Sequence, residues 1–300
     1  MATTLGDVEI VSLDSMQVYR GMDIGTAKPA LADRASVPHH GIDVADPDEL
    51  WSVVRTQSMA RAALADIESR GRRALFVGGT GLYVQAVVDD LTVPAEDLEL
   101  RAQLEAWTSE PGGMLAAYRE LCERDPIAAS RIDEHNQRRV VRALEVIRLT
   151  SRPFSSFGSG LDRYGPPAFD VRLVGVWWER EALARRIEER IAAMKRAGFV
   201  QEARELVARP AGLARTAARA IGYSELFAGL AAGGTENDLE EAFALTIRRT
   251  RSFARRQRMW FRRDPRICWM SAPRNIRALI PALLALWGAV SIRSTVEATS

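Results

Sequence analysis

DSMQVYRGMDIGTAKP, Asp14 to Pro29, follows the short apolar run Val8, Ile10, Val11 and Leu13, which reads as a buried strand. Asp14-Ser15 stands where that strand stops. In open α/β sheets ligands collect outside the carboxyl ends of strands, so a carboxylate there is placed for chemistry. A simple capping role in the next turn fits the position equally well. Gln17, Tyr19, Asp23, Thr26 and Lys28 add five polar groups to a segment with two glycines. That density favours function over mere connection.

Working outward, Ile42 and Val44 in HHGIDVAD (His39 to Asp46) alternate with polar residues and predict a short strand. Pro47-Asp48 starts a helix over about 49–70, striped by Val53, Val54, Met59, Ala63 and Ile67. Arg73 to Val77 reads as a buried strand, and GGTGLY (Gly78 to Tyr83) turns it into a helix. Such a turn aims backbone N–H groups and a positive dipole end at the active edge, although glycines there also serve sterics alone. From Leu91 short helical pieces joined by Pro and Gly turns predict a helical insertion at 92–157, with SRPFSSFGSG as a flexible exit. VRLVGVW (171–177) is the next strand, with helices predicted at 180–197 and from 200. The expected architecture is α/β: a parallel sheet flanked by helices over 1–91 and 158–300, interrupted by a small all-α domain.

Composition (47% apolar, 27% charged) fits a globular protein, and a net charge of +2 does not itself argue for nucleic acid. Lys28 and Lys195 are the only lysines, so nearly all positive charge is Arg. Cys122 and Cys268 show no metal or redox spacing, and His39, His40 and His135 form no ligand pattern. A reducing compartment, the cytoplasm, is expected, with no secretory signal at the amino end. The apolar run Ala278 to Ile292 is too short for a bilayer span and contains Pro281; it reads as a terminal helix packed on the body. RRTRSFARRQRMWFRRDPR (248–266) holds nine Arg against one acid. On a helix Arg248, Arg251, Arg255, Arg258 and Arg262 share one ridge. Like charges so placed repel, and a polyanion best explains the surplus. The interleaved Phe253, Trp260 and Phe261 suit core anchors as well as base-stacking platforms.

Several of these stretches resemble signatures of the tRNA dimethylallyltransferase family, enzymes that prenylate the adenosine beside the anticodon. DSMQVYRGMDIGTAKP matches over its whole length, and HHGIDVAD, GGTGLY and DPIAASRIDEHNQRRVVRALEV (125–146) match further segments. TAARAIGYSEL (216–226) resembles AxQAIGYKE, with Arg219 in place of Gln and Ser224 in place of Lys. The Arg-rich stretch resembles RRxAKRQxTWFR. The resemblance implies a P-loop-NTPase-like sheet and catalytic roles for Asp14 and Thr80, with Thr80 contacting the target adenosine. It implies tRNA contacts at Asp14, Ser15, Met16, Gln17, Thr80, Arg101, Arg138, Arg139, Val140, Val141 and Arg142. Further tRNA contacts are implied at Arg219, Gly222, Tyr223, Arg255, Arg256, Gln257, Arg258, Trp260 and Arg262. Lys28 is the implied diphosphate ligand and Mg²⁺ the implied cofactor. The implied partners are the tRNA anticodon stem-loop and dimethylallyl diphosphate, with no membrane; a monomer is expected.

The family opens with a Walker-type loop, and no G-x-x-x-x-G-K-[ST] occurs in these 300 residues. That loop supplies the N–H cradle, a Lys for the diphosphate and a hydroxyl for Mg²⁺, and its strand is central in the sheet. The expectation is therefore an amino-truncated member, lacking the first strand and the P-loop, with poor diphosphate binding and low activity. The chemistry implied is transfer of a five-carbon group to an exocyclic amine, whose delocalised lone pair makes it a weak nucleophile. A carboxylate in reach accepts its proton, and Asp14 is the candidate. Three alternatives are a non-catalytic tRNA-binding homologue, an adenylate isopentenyltransferase and a small-molecule kinase. The helical insertion and Arg ridge speak against the second, and the absent Walker loop against the third.

Overall fold

A computed structural model describes residues 1–157, 161 and 163–288. A single helical turn, α1 (Ala2–Leu5), leads into β1 (Val8–Ser12), the strand that delivers Asp14. Then come α2 (Leu31–Ser36), β2 (His39–His40), α3 (Val53–Ser69), β3 (Arg73–Val77) and α4 (Gly81–Val88). β1 lies between β2 and β3, and both pairings are parallel, with β3 in register from Val8↔Arg73 to Ser12↔Val77. The predicted strand at Ile42 and Val44 is displaced to His39–His40. Beyond it, Ala45 forms an isolated parallel bridge to Tyr19, and the Asp43 and Val44 amides donate to Gln17 O and Val18 O.

The chain next builds α5 (Leu98–Ser109), α6 (Gly113–Arg124), α7 (Pro126–Ala129) and α8 (Gln137–Thr150). These belong to one compact unit, Leu91–Gly165, and Met1–Asp90 with Pro166–Ser300 make up the other, main unit. The carboxyl boundary falls at 165 rather than 157, and residues 158–160 of the expected flexible exit lie outside the described residues. The helical unit has its own core, where α5, α6 and α8 bury Leu104, Leu121, Val140, Val141 and Leu144. Each such Leu contributes roughly 1.5–3 kcal/mol by leaving water.

The main unit resumes with β4 (Val174–Trp177), α9 (Arg180–Arg196), α10 (Phe199–Val207), α11 (Arg215–Ala218) and α12 (Tyr223–Ala232). It ends with α13 (Glu236–Phe261), β5 (Cys268–Ser271) and α14 (Ile280–Gly288). A capping box of Thr235 and Asp238 starts α13. β5 is too short to stand out beside the Arg-rich stretch, but it pairs in parallel with β4. Among the described residues β3 pairs only with β1, and β4 only with β5. Parallel strands are ordinarily covered on both faces. Here β3 is half-exposed rather than buried as expected, with Val77 51% and Val176 of β4 40% exposed.

The largest core of the main unit draws in the signature stretch itself. Val18, Tyr19 and Met22 pack with Trp51, Ile187, Ile191, Phe199, Tyr223 and Phe243. The apolar members of residues 14–29 thus pack into the body. Trp287 of α14 packs on Ala2, Val8 and Val37, as the terminal-helix reading expects; residues 289–292 of that run lie outside the described residues. No helix among the described residues is long and apolar enough to cross a membrane.

Candidate active site

Asp14 follows β1 and its carboxylate folds back on its own loop. Oδ1 accepts the amides of Met16 at 2.7 Å and Gln17 at 3.2 Å. Oδ2 has no hydrogen bond among the described residues, and Asp14 remains partly exposed. One oxygen is anchored and the other is available, so the carboxylate both caps and stays free to react.

β3 ends beside it. The Leu13 amide donates to Val77 O at 2.8 Å, and Thr80 Oγ1 donates to Ser15 Oγ at 3.3 Å. Thr80 is the N-cap of α4, but its hydroxyl does not cap the helix. The two segments singled out from sequence are therefore adjacent through Ser15 and Thr80. The glycines between β3 and α4 are required by close approach. A Cβ at Gly78 would lie 2.8 Å from Leu13 Cβ, one at Gly79 would overlap the Gln257 amide, and one at Gly81 the Trp260 indole. Gln257 Nε2 also donates to Gly79 O at 2.9 Å. Gln257 and Trp260, both expected as tRNA contacts, thus brace the turn that carries Thr80. Bringing α13 this near leaves no room for a side chain on the turn.

The rest of the signature stretch is laced internally. Gln17 Oε1 accepts from Ser12 Oγ at 3.0 Å, and its Nε2 donates to Thr26 O and Ala27 O. The Tyr19 and Thr216 hydroxyls share a hydrogen bond of 2.5 Å. The Lys28 side chain is 2% exposed, and its ammonium donates to Tyr19 O (2.5 Å), Asp23 Oδ1 (2.7 Å) and Asp43 Oδ1 (2.6 Å). An ammonium has three donors, and all three are engaged. The expectation of Lys28 as a diphosphate ligand is corrected accordingly: it staples the loop. Burial opposes ionisation of Asp43, yet hydrogen bonds from Lys28 and Arg34 outweigh it and hold the carboxyl below its usual range.

The expected tRNA contacts divide into exposed and engaged groups. In the helical unit Arg138 and Arg139 are exposed and have no ion pair among the described residues. Val140 and Val141 are 0% and 2% exposed core residues, so their side chains do not reach a ligand. Arg101 and Arg142 both pair with the fully buried Glu145, at 2.9 Å each, and Arg142 also donates to Pro94 O and Ala95 O. Leaving Glu145 unpaired is costly, so these two arginines serve the fold. In the main unit Gly222, at φ +95°, and the buried Tyr223 pack on Phe199, and neither is a surface contact. Arg219 is exposed at the end of α11.

Along α13 the ridge is partly neutralised by other helices. Arg251 pairs with Glu188 of α9, and the neighbouring Arg249 with Glu225 of α12. Arg258 stacks over Trp177 at 4.5 Å and Arg256 over Phe253 at 5.9 Å. Arg248, Arg255 and Arg262 are exposed and lack an ion-pair partner among the described residues. Arg190 of α9 was not singled out from the sequence. Arg190 is exposed over the residue as a whole, yet desolvation of its guanidinium lowers its pKa while the Asp14 carboxylate pulls the other way, so the two charges feel each other. No motif marks it; only its place on α9, four residues beyond Arg186, offers a signal. No group of three His, Cys, Asp or Glu side chains among the described residues is arranged to hold a metal ion.

The IPP transferase family model matches residues 17–264. The chain is similar to a protein of Kineococcus radiotolerans named tRNA dimethylallyltransferase. The two are 48% identical over 265 residues, 88% of this chain and 81% of that one. A protein of the same name from Corynebacterium glutamicum is 44% identical over 93% of this chain and 91% of its own length. Among solved structures, the tRNA isopentenylpyrophosphate transferase of Bacillus halodurans superposes with a TM-score of 0.64. It is 36% identical, and the match covers 96% of this chain and 89% of that one. A eukaryotic dimethylallyltransferase acting on tRNA superposes at 0.73 with 24% identity, covering 97% and 71%, and shares the fold.

Proposed function

Because the chain belongs to the IPP transferase family, we propose that it transfers a dimethylallyl group from dimethylallyl diphosphate to the exocyclic amine of an adenosine beside the tRNA anticodon. The observation that carries the chemistry is the split use of the Asp14 carboxylate, one oxygen tied to two amides and the other open beside Thr80. As the amine nitrogen bonds to the first dimethylallyl carbon, the carbon–oxygen bond to diphosphate breaks. The displaced amine proton passes to Asp14 Oδ2. The Thr80–Ser15 hydroxyl pair orients the amine, and diphosphate departs with its charge. Arg190 supplies positive charge on the same side.

The base must leave the anticodon-loop stack to reach this point, as base-modifying enzymes require. Arg248 and Arg255 of α13, Arg262 at its C-cap and Arg219 hold tRNA phosphates by charge, as do Arg138 and Arg139 of the helical unit. The same reading makes the chain a cytoplasmic monomer; sedimentation of the purified protein checks the monomer.

Asp14→Asn keeps the amide-accepting oxygen and removes the proton acceptor. We expect transfer to fall at least about a hundredfold with tRNA affinity unchanged. Near-normal turnover in this variant would take Asp14 out of the chemistry.

A further inference from the structure

Glu202, on the first turn of α10, has no part in the chemistry above, yet its carboxylate gathers four donors. Oε2 accepts the amides of Asp23 at 2.9 Å and Ile24 at 2.8 Å. Oε1 accepts the Gly25 amide at 3.1 Å and the Tyr223 hydroxyl at 2.5 Å. Three consecutive amides turned to one point make an anion-binding nest, and here the protein fills it with its own side chain. Burial raises the pKa of Tyr223, and the Glu202 charge pushes the same way, so that hydroxyl stays a donor. Gly25 lies against the Phe199 and Tyr223 rings so closely that a Cβ would overlap both. The loop is gripped by charge on one side and by packing on the other.

The grip has a path to the strand end. Thr26, next in the chain, accepts Gln17 Nε2 through its carbonyl, and Gln17 in turn holds Ser12. The Gln17 amide is one of the two that anchor Asp14 Oδ1. Lys28 adds a second tie from Asp23 back to Tyr19. We infer that Glu202 is a positioning residue for Asp14: by fixing Asp23–Gly25 it sets Gln17, and Gln17 sets the orientation of the Asp14 carboxylate. The consequence for catalysis rests on the functional reading above, whereas the positional coupling does not.

Glu202→Gln tests it, because a carboxamide offers one acceptor oxygen and turns a donor toward the remaining amides. Amide hydrogen exchange on the full chain is the readout. We expect exchange to speed up about tenfold or more at Asp23–Gly25 and also at Met16 and Gln17, with little change in α8 or α12. Acceleration confined to 23–25 would overturn the coupling and leave Glu202 a local staple. Should Glu202→Gln fold poorly, Tyr223→Phe removes one donor only and should shift the same two amide groups less. In transfer assays the effects of Glu202→Gln and Asp14→Asn should be non-additive, and full additivity would also overturn it. Exchange asks nothing of transferase activity, so this inference and the proposed reaction fail separately.

Discussion

At the scale of single residues, the same side-chain type does opposite work depending on what surrounds it. Asp14 and Asp43 both follow strand ends or turns, but Asp43 is neutralised by Lys28 and Arg34 while Asp14 keeps an oxygen free. Lys28 has the composition of a phosphate ligand and the geometry of a staple. Lys28→Met should lower stability by on the order of 1 kcal/mol, since it removes the donor to Tyr19 O and Asp23 while Arg34 still holds Asp43. Denaturant unfolding checks this, and an unchanged midpoint would return Lys28 to the pool of free cations. The adjacency of the segments that carry Asp14 and Thr80 was legible in the sequence because local motifs mark both strand ends. Arg142 pairs with Glu145 at the i,i+3 helix spacing that the sequence did show, whereas Arg101 and Tyr223 are engaged by Glu145 and Glu202, which lie 44 and 21 residues away with no spacing rule to link them. Arg190 was missed for the same reason.

At the scale of elements, α13 serves two sides of the molecule. Its inner face lays Gln257 and Trp260 on the turn between β3 and α4, and its outer face presents arginines. Reading the Arg ridge as one surface overlooked the counter-charges that α9 and α12 bring to Arg251 and Arg249. The residues left for a polyanion are Arg248, Arg255 and Arg262. Replacing all three with Ala should weaken tRNA binding and lower the slope of log Kd against log salt by about two. Stability should move by under about 0.5 kcal/mol. A salt slope that does not change would put the nucleic-acid contact elsewhere. The helices were readable from their apolar periodicity, whereas β5 and the shift of β2 to His39–His40 depend on which strand lies alongside. A two- or four-residue strand carries too little pattern to show that.

At the scale of the whole molecule, the division into a parallel-sheet body and a helical insertion was visible where helix-length periods replace strands after Leu91. Partial exposure of β3 and β4 was not, because apolar content alone cannot tell a covered strand from an edge. The body is also tied across its sheet by charge. Glu9, buried in β1, has its carboxyl held at about 2 against a usual 4.5, first by the hydrogen bond from Arg70 and then by His40, both overcoming the cost of burial. A depressed folded-state value adds stability above pH 4.5 that is lost as pH falls from there through about 2. Glu9→Gln should therefore flatten acid destabilisation across that window and lower stability at neutral pH; an acid transition as steep as the wild type's would contradict it. The central claim is that this chain prenylates tRNA adenosine through Asp14. Mass spectrometry of nucleosides from bulk tRNA tests it most directly, comparing the source strain with its gene deletion and with a chromosomal Asp14→Asn substitution. The account predicts isopentenyladenosine in the parent and its loss in both altered strains; persistence of the modified nucleoside in either would contradict it.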